Sequence, residues 1–316
     1  MIRLFAHANY KFIEIRRIAY IFTAIAIALS IGFGIFWHVT KGSYLNYGVD
    51  FTGGTLLQVR FKQPTSDREL RNVVQPAVPG TEITHFGSAN EFLLRAPATT
   101  EAGTSTADHL VGVMRTRFGN NFDVVRTETV GPKVGGELQN KAALAILFSF
   151  AATLAYLAFR FEWRFGLAAV IATAHDTLIT LGLLSIFRFE IGLPTVAAVL
   201  TILGYSLHDT IIIFDRIREN LKKYGRKADL IEIMDRSINE TLPRTILTVS
   251  TVVATLLALA LLGGTAVSGF AWVMLIGVVL GTYSSIFVAS PVLWEIEKRW
   301  GAKPGARPAR QTKVAV

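Results

Sequence analysis

The chain has 316 residues, 51% of them hydrophobic and 17% charged, with a mean hydropathy of +0.43. Its charges fall in short blocks between long uncharged stretches, which excludes an ordinary soluble globular domain and marks a membrane protein. The net charge of +9 lies wholly outside residues 41–140, where bases and acids balance, so it needs no nucleic acid to explain it; without cysteine there is neither a disulfide nor a thiolate metal site.

A hydrocarbon core about 30 Å thick takes roughly 20 apolar residues as a helix. A basic N-terminus, residues 1–17, leads into a first uncharged block at 18–40. The basic region is long for a signal peptide and no small-x-small cleavage site follows, so a retained anchor is expected. Residues 41–140 are polar and patterned. TLLQVRF (55–61) reads as a strand. SDRELRNVVQPAV (66–78) reads as a helix whose capping box pairs Ser66 with Glu69. TEITHFG (81–87) and EFLLRAP (91–97) are strands around a Ser-Ala-Asn turn. STADHLVGVMRTRFG (105–119) is a second helix, and FDVVRTETV (122–130) closes the set as a strand. The order βαββαβ is that of a ferredoxin-like α+β domain, a fold that hosts many functions.

Glycine-rich segments flank this domain: GVDFTGG (48–54), with Gly48, Asp50, Gly53 and Gly54, and VGPKVGGEL (130–138), with Gly131, Pro132 and Gly135. Each is either a bent, defined joint or an ordinary turn. A phosphate loop is not indicated, because GxxxxGK[ST] is absent.

Further spans are expected at 141–160, 165–187 and 191–214. After a cytoplasmic loop at 215–243, the uncharged run Thr245–Trp294 holds two more, 244–262 and 270–294, with GGTAVSG (263–269) as the turn. A basic tail occupies 295–316. The fold class is thus a six-helix polytopic membrane protein with an α+β domain between helices 1 and 2. Lys and Arg concentrate in the N-terminus, in 215–243 and in the tail, so both termini are expected in the cytoplasm and residues 41–140 outside.

Three membrane groups stand out. Asp176 lies midway between Arg164 and Arg188, at mid-bilayer depth. Asp209, in GYSLHDTIIIFDRIREN (204–220), lies nearer the cytoplasmic end of its span. An ionised Asp at a helix centre costs about 2.5–3.5 kcal/mol on insertion scales, so such a group pairs, protonates or faces water. Asp209 is a coupling acid or one that snorkels to the interface; Asp176 is a relay or a structural acid. Arg244, after Pro243, is a partner for an acid or an interfacial anchor. His208 adjoins Asp209 but points about 100° away on a helix, and His175 stands likewise to Asp176. Neither spacing suits zinc, and no metal or cofactor is expected. GVVLG (277–281) suits close helix contact.

GVDFTGG (48–54), VGPKVGGEL (130–138), AHDTLIT (174–180), TILGYSLHDTIIIFDRIREN (201–220), SINETLPRT (237–245) and GTYSSIFVASP (281–291) together resemble the SecF family of protein-export membrane subunits. The resemblance covers most of the chain. It implies an RND-superfamily fold, a SecD partner with a related six-helix half, and work beside the SecYEG channel, with YajC and YidC as further associates. It also implies use of the proton-motive force to promote late export of polypeptide across the bacterial inner membrane. Asp209 corresponds to the family's intramembrane acid, Arg244 to its arginine and Asp176 to the acid of its third-span HD pair. The family usually has Asn where this chain has His208, which adds a titratable group beside Asp209. Protonation of Asp209 is expected to release Arg244 and let helices shift, with the glycine segments passing the shift to the outer domain. The rivals are a proton-coupled small-molecule exporter half and a non-transporting scaffold; no ATPase motif or nucleophile constellation supports an enzyme.

Overall fold

The computed structural model describes residues 8–86, 88–97, 105–160, 162–224 and 228–300. In chain order they form α1 (Arg16–Lys41), β1 (Asn46–Tyr47), α2 (Val49–Thr52), β2 (Gly54–Phe61), α3 (Asp67–Ala77), β3 (Glu82–Phe86), β4 (Ser88–Ala96), α4 (Thr106–Phe118) and β5 (Phe122–Val130). There follow α5 (Pro132–Arg160), α6 (Trp163–Ile186), β6 (Glu190–Ile191), α7 (Leu193–Tyr224), α8 (Leu230–Leu262) and α9 (Thr265–Ser284), then a π-helical turn (Ser285–Ala289) and α10 (Ser290–Trp300). The chain divides into two units, one of Met1–Tyr44, Phe148–Arg188 and Ala197–Val316, the other of Leu45–Leu147 and Phe189–Val196.

The second unit carries a four-stranded antiparallel sheet in the order β3-β4-β2-β5, the ferredoxin-like arrangement expected from the sequence. Central β2 is buried on both faces. Leu57, Val59 and Phe61 join Leu70 and Val74 of α3 and Leu110 of α4 in one core. On the other face Leu56 and Leu93 pack against Val49 of α2. Ser66 caps α3 by accepting from the Glu69 amide, as the capping box requires. The turn expected at Ser88–Asn90 is instead strand, because β4 starts at Ser88 and pairs with Phe86.

The first unit is helical. Six segments among the described residues are long and apolar enough to cross a membrane: α1, α5, α6, α7, α8 and the run Val267–Trp300. Half or more of the apolar window is buried in α6, α7 and the last span, against less than a fifth in α1, α5 and α8. Several boundaries differ from expectation: α9 starts at Thr265, inside the run read as a turn (263–269), Ile191 lies in β6 rather than in the fourth span, and helix continues to Trp300, past the expected start of the tail at 295. Helix α5 starts at Pro132, so most of the segment read as a second glycine joint is its first turns; proline suits that start, since its missing N–H would go unbonded anyway. The expected loop 215–243 is mostly helix, because α7 runs to Tyr224 and α8 starts at Leu230 with Pro243 inside it. Charge there does not interrupt either helix outside 225–229.

Candidate functional site

Helix α6 enters the bundle on a run of small residues, Ala168, Ala169 and Ala172, all buried. Close approach continues above and below. A Cβ on Gly182 would lie 1.9 Å from Ser30 Oγ of α1, and one on Gly277 of α9 would lie 2.1 Å from Ile202 Cδ1 of α7. Bare glycine backbones therefore set how near these helices come, as GVVLG suggested.

Within that packing Asp176 is 1% exposed. Its carboxylate accepts from Ser206 Oγ of α7, from Ser284 Oγ of α9 at 2.6 Å and from His175 Nδ1 at 2.8 Å. An ionised carboxylate only accepts, so with Asp176 ionised the proton of that bond sits on His175 Nδ1. Nε2 lies 3.3 Å from the Thr23 hydroxyl of α1. One acid thus ties α6, α7 and α9 directly and α1 through His175, and both its oxygens are hydrogen-bonded.

Asp209, on α7, is the opposite case. It is 2% exposed, yet its Oδ2 has no hydrogen-bond partner. One turn earlier Tyr205 Oη is likewise buried and unpartnered, as is Thr245 Oγ1 beside Arg244. Neither His208 nor Arg244 bonds Asp209 Oδ2. His208 and Arg244 are themselves exposed. A buried carboxylate oxygen left unpaired is costly. An ionised Asp209 must gain a donor, and a protonated one need not.

Past these acids α7 and α8 are joined by polar contacts. Arg216 Nε donates to Glu240 Oε2 at 2.6 Å, and Asn220 Nδ2 donates to Ser237 Oγ and to the same Glu240 oxygen. Asn239 of α8 clamps the N-terminal segment, accepting from Tyr10 N at 3.0 Å and donating to Tyr10 O at 2.8 Å. Asp235 accepts from Ile13 N at 2.8 Å.

In the second unit the two glycine segments meet. α2 is a single turn that stops at Gly53, whose φ of +72° favours glycine. A Cβ there would lie 2.7 Å from Pro132 Cα, and one on Gly135 would lie 2.9 Å from Gly53 N and Phe51 O. These glycines serve close backbone approach, so the segments form one knot rather than two independent joints. Gly131 has open space around its Cβ position. Gly54, with φ +121°, starts β2. β1 pairs in parallel with β6, and Gly48 N donates to Ile191 O at 2.9 Å. Asp50 Oδ2 accepts from Leu193 N, the first residue of α7, at 2.8 Å.

The structure thus joins Asp176 to His175 and leaves Asp209, Arg244 and His208 unbonded to one another. Sequence reasoning passed over Ser206, Ser284, Tyr205 and Thr245. All four lie inside motifs already singled out, but a serine hydroxyl inside a membrane helix usually bonds back to its own backbone, so nothing in the string marks Ser206 and Ser284 as partners of an acid. No cluster of three or more His, Asp or Glu groups placed to hold a metal occurs among the described residues.

A helical bundle that buries one satisfied and one unsatisfied acid, in a chain that also carries a ferredoxin-like domain, defines a polytopic membrane protein with an α+β domain. Comparison with known proteins narrows the class. The family described as "Protein export membrane protein SecD/SecF, C-terminal" matches residues 111–299, and the SecD/SecF GG motif matches residues 45–65. The protein translocase subunit SecF of Gemmatimonas aurantiaca is 47% identical, over 99% of this chain and 95% of its own length. That of Desulfurispirillum indicum is 44% identical, over 89% and 90%. The crystal structure of SecDF from Thermus thermophilus, titled a translocon-associated membrane protein, matches with a TM-score of 0.81 at 36% identity. It covers 93% of this chain, which spans only 39% of that longer one. A SecDF structure in a super-membrane-facing form matches at 0.66 with equal identity and coverage. The chain belongs to the SecD/SecF family and is a multi-pass protein of the bacterial inner membrane.

Proposed function

We propose that this chain is the SecF-type auxiliary subunit of the bacterial Sec translocase and works with SecD to promote late export of polypeptide. The names of its relatives and its likeness to one part of SecDF support this. The finer parts of the proposal are action beside SecYEG, association with YajC and YidC, termini in the cytoplasm, the ferredoxin-like domain outside, and drive by the proton-motive force.

The observation that carries the coupling is the unpaired oxygen of buried Asp209. Ionised, Asp209 draws in Arg244 from the next helix; protonated, it releases Arg244 and the helices repack. A shift of a two-state element from 1:99 to 99:1 takes about 5.5 kcal/mol. One proton crossing the membrane gains about 2.3 kcal/mol per 100 mV, so one proton or two at ordinary potentials is the right size. Asp176 holds the inner helices together while Asp209 cycles. His208 adds charge near Asp209 when protonated. The unequal likeness to two SecDF structures of equal identity supports a fold with more than one arrangement.

The test is preprotein export in membrane vesicles, with and without a proton gradient. Asp209→Asn and Arg244→Ala are expected to assemble with SecD and lose the gradient-stimulated part of export. Full gradient stimulation in both variants would sink the proposal.

A further inference from the structure

Helix α7 carries Asp209, and its beginning lacks a cap of its own. Its first residue is Leu193, and the residue before it is Gly192, whose carbonyl accepts from Val196 N at 3.1 Å. Gly192 has no side chain to bond the free amides of the first turn. The missing acceptor comes from far away in sequence: Asp50 Oδ2 takes the Leu193 amide at 2.8 Å. A carboxylate suits that place twice over, as acceptor and as negative charge at the positive end of the helix dipole. Gly192 is also what admits it, since a Cβ there would lie 2.8 Å from Asp50 Oδ2.

Two further ties act on the same stretch. Glu190 of β6, three residues ahead of α7, pairs with Arg95 of sheet strand β4 at 2.7 Å. Gly48 makes room for it, because a Cβ there would lie 2.6 Å from Glu190 Oε1. The β1–β6 bridge adds Gly48 N to Ile191 O. Asp50 is itself held firmly, with Val49 and Phe51 on either side buried at 2% and 6% exposure and Gly53 against Pro132. From Leu193 the helix runs unbroken to Tyr224, and Asp209 lies about 24 Å along it at 1.5 Å per residue.

We propose that Asp50 and the Arg95–Glu190 pair are positioning residues: a latch that makes the ferredoxin-like domain and the first turn of α7 one moving body. Movement then passes between the domain and Asp209 along α7, not through flexing of the glycine segments. This rests on the reading of Asp209 given above.

The test uses the full chain with SecD in membranes, with two readouts. The first is amide hydrogen exchange at Leu193 and Thr195. Asp50→Ala is expected to speed it about fivefold, the size of a lost cap, while Asp50→Asn, which keeps an acceptor oxygen, leaves it near the parent value. The second is gradient-stimulated export. Asp50→Ala and Arg95→Glu are each expected to lower it with gradient-independent export unchanged, and Arg95→Glu with Glu190→Arg to restore it. Unchanged exchange in Asp50→Ala overturns the latch. Faster exchange with gradient-stimulated export at the parent level also overturns it, leaving only a structural cap. Asp209→Asn runs alongside: if that variant keeps its stimulation, the coupling proposal fails, while exchange and charge-swap still judge the latch.

Discussion

The two membrane acids should fail in opposite ways, and the difference follows from their bonds. Asp176 accepts three side-chain hydrogen bonds, from Ser206, Ser284 and His175. Interhelical hydrogen bonds in membrane proteins average about 0.6 kcal/mol and reach about 1.7, with those to a charge at the upper end. The three together are worth about 2–5 kcal/mol. Asp176→Leu removes all three and leaves two hydroxyls and a ring N–H facing a hydrocarbon side chain. At roughly 2–4 °C per kcal/mol the unfolding midpoint should fall by about 4–20 °C. Asp209→Asn starts from an oxygen with no partner, so there is little to lose and the midpoint should stay within about 2 °C. The assay is thermal unfolding of purified protein in detergent, followed by export with and without a gradient. The expected pattern is a destabilised Asp176→Leu and a stable but uncoupled Asp209→Asn. If Asp176→Leu melts with the parent, or Asp209→Asn falls as far as Asp176→Leu, the division of labour between the two acids is wrong.

Three more outcomes follow from close contacts. Gly277→Ala forces a methyl against Ile202 and should cost about 1–3 kcal/mol, read as a lowered melting midpoint, with Ile202→Ala in the same chain restoring most of it. Gly135→Ala should lower the yield of folded protein because its Cβ meets backbone of Gly53 and Phe51, whereas Gly136→Ala, with open space around it, should be neutral by the same measure. Asn239→Ala breaks both bonds to Tyr10 and should speed proteolytic removal of the N-terminal segment, scored by gel after timed digestion.

The sequence by itself determined the elements. Apolar run length marked six crossing helices, and strand alternation with the Ser66 capping box marked βαββαβ, because these signals are local and periodic. It also marked Asp176, Asp209 and Arg244 as worth explaining, since a charge in an apolar run is visible in one dimension. It erred where composition stands in for structure: glycine in 130–138 suggested a joint, yet Pro132 starts α5 there. Charge in 215–243 suggested a loop, yet α7 and α8 continue through most of it. Only the tertiary structure decided which acid is satisfied. Ser206 and Ser284 reach Asp176 from helices distant in sequence, and among the described residues no donor reaches Asp209 Oδ2. Only it brought Asp50 to the first amide of α7, across most of the sequence separating the first helix from the fourth. Hydrogen bonds of this kind depend on which faces of which helices meet, and that is fixed by packing among all of them at once, not by any stretch read alone.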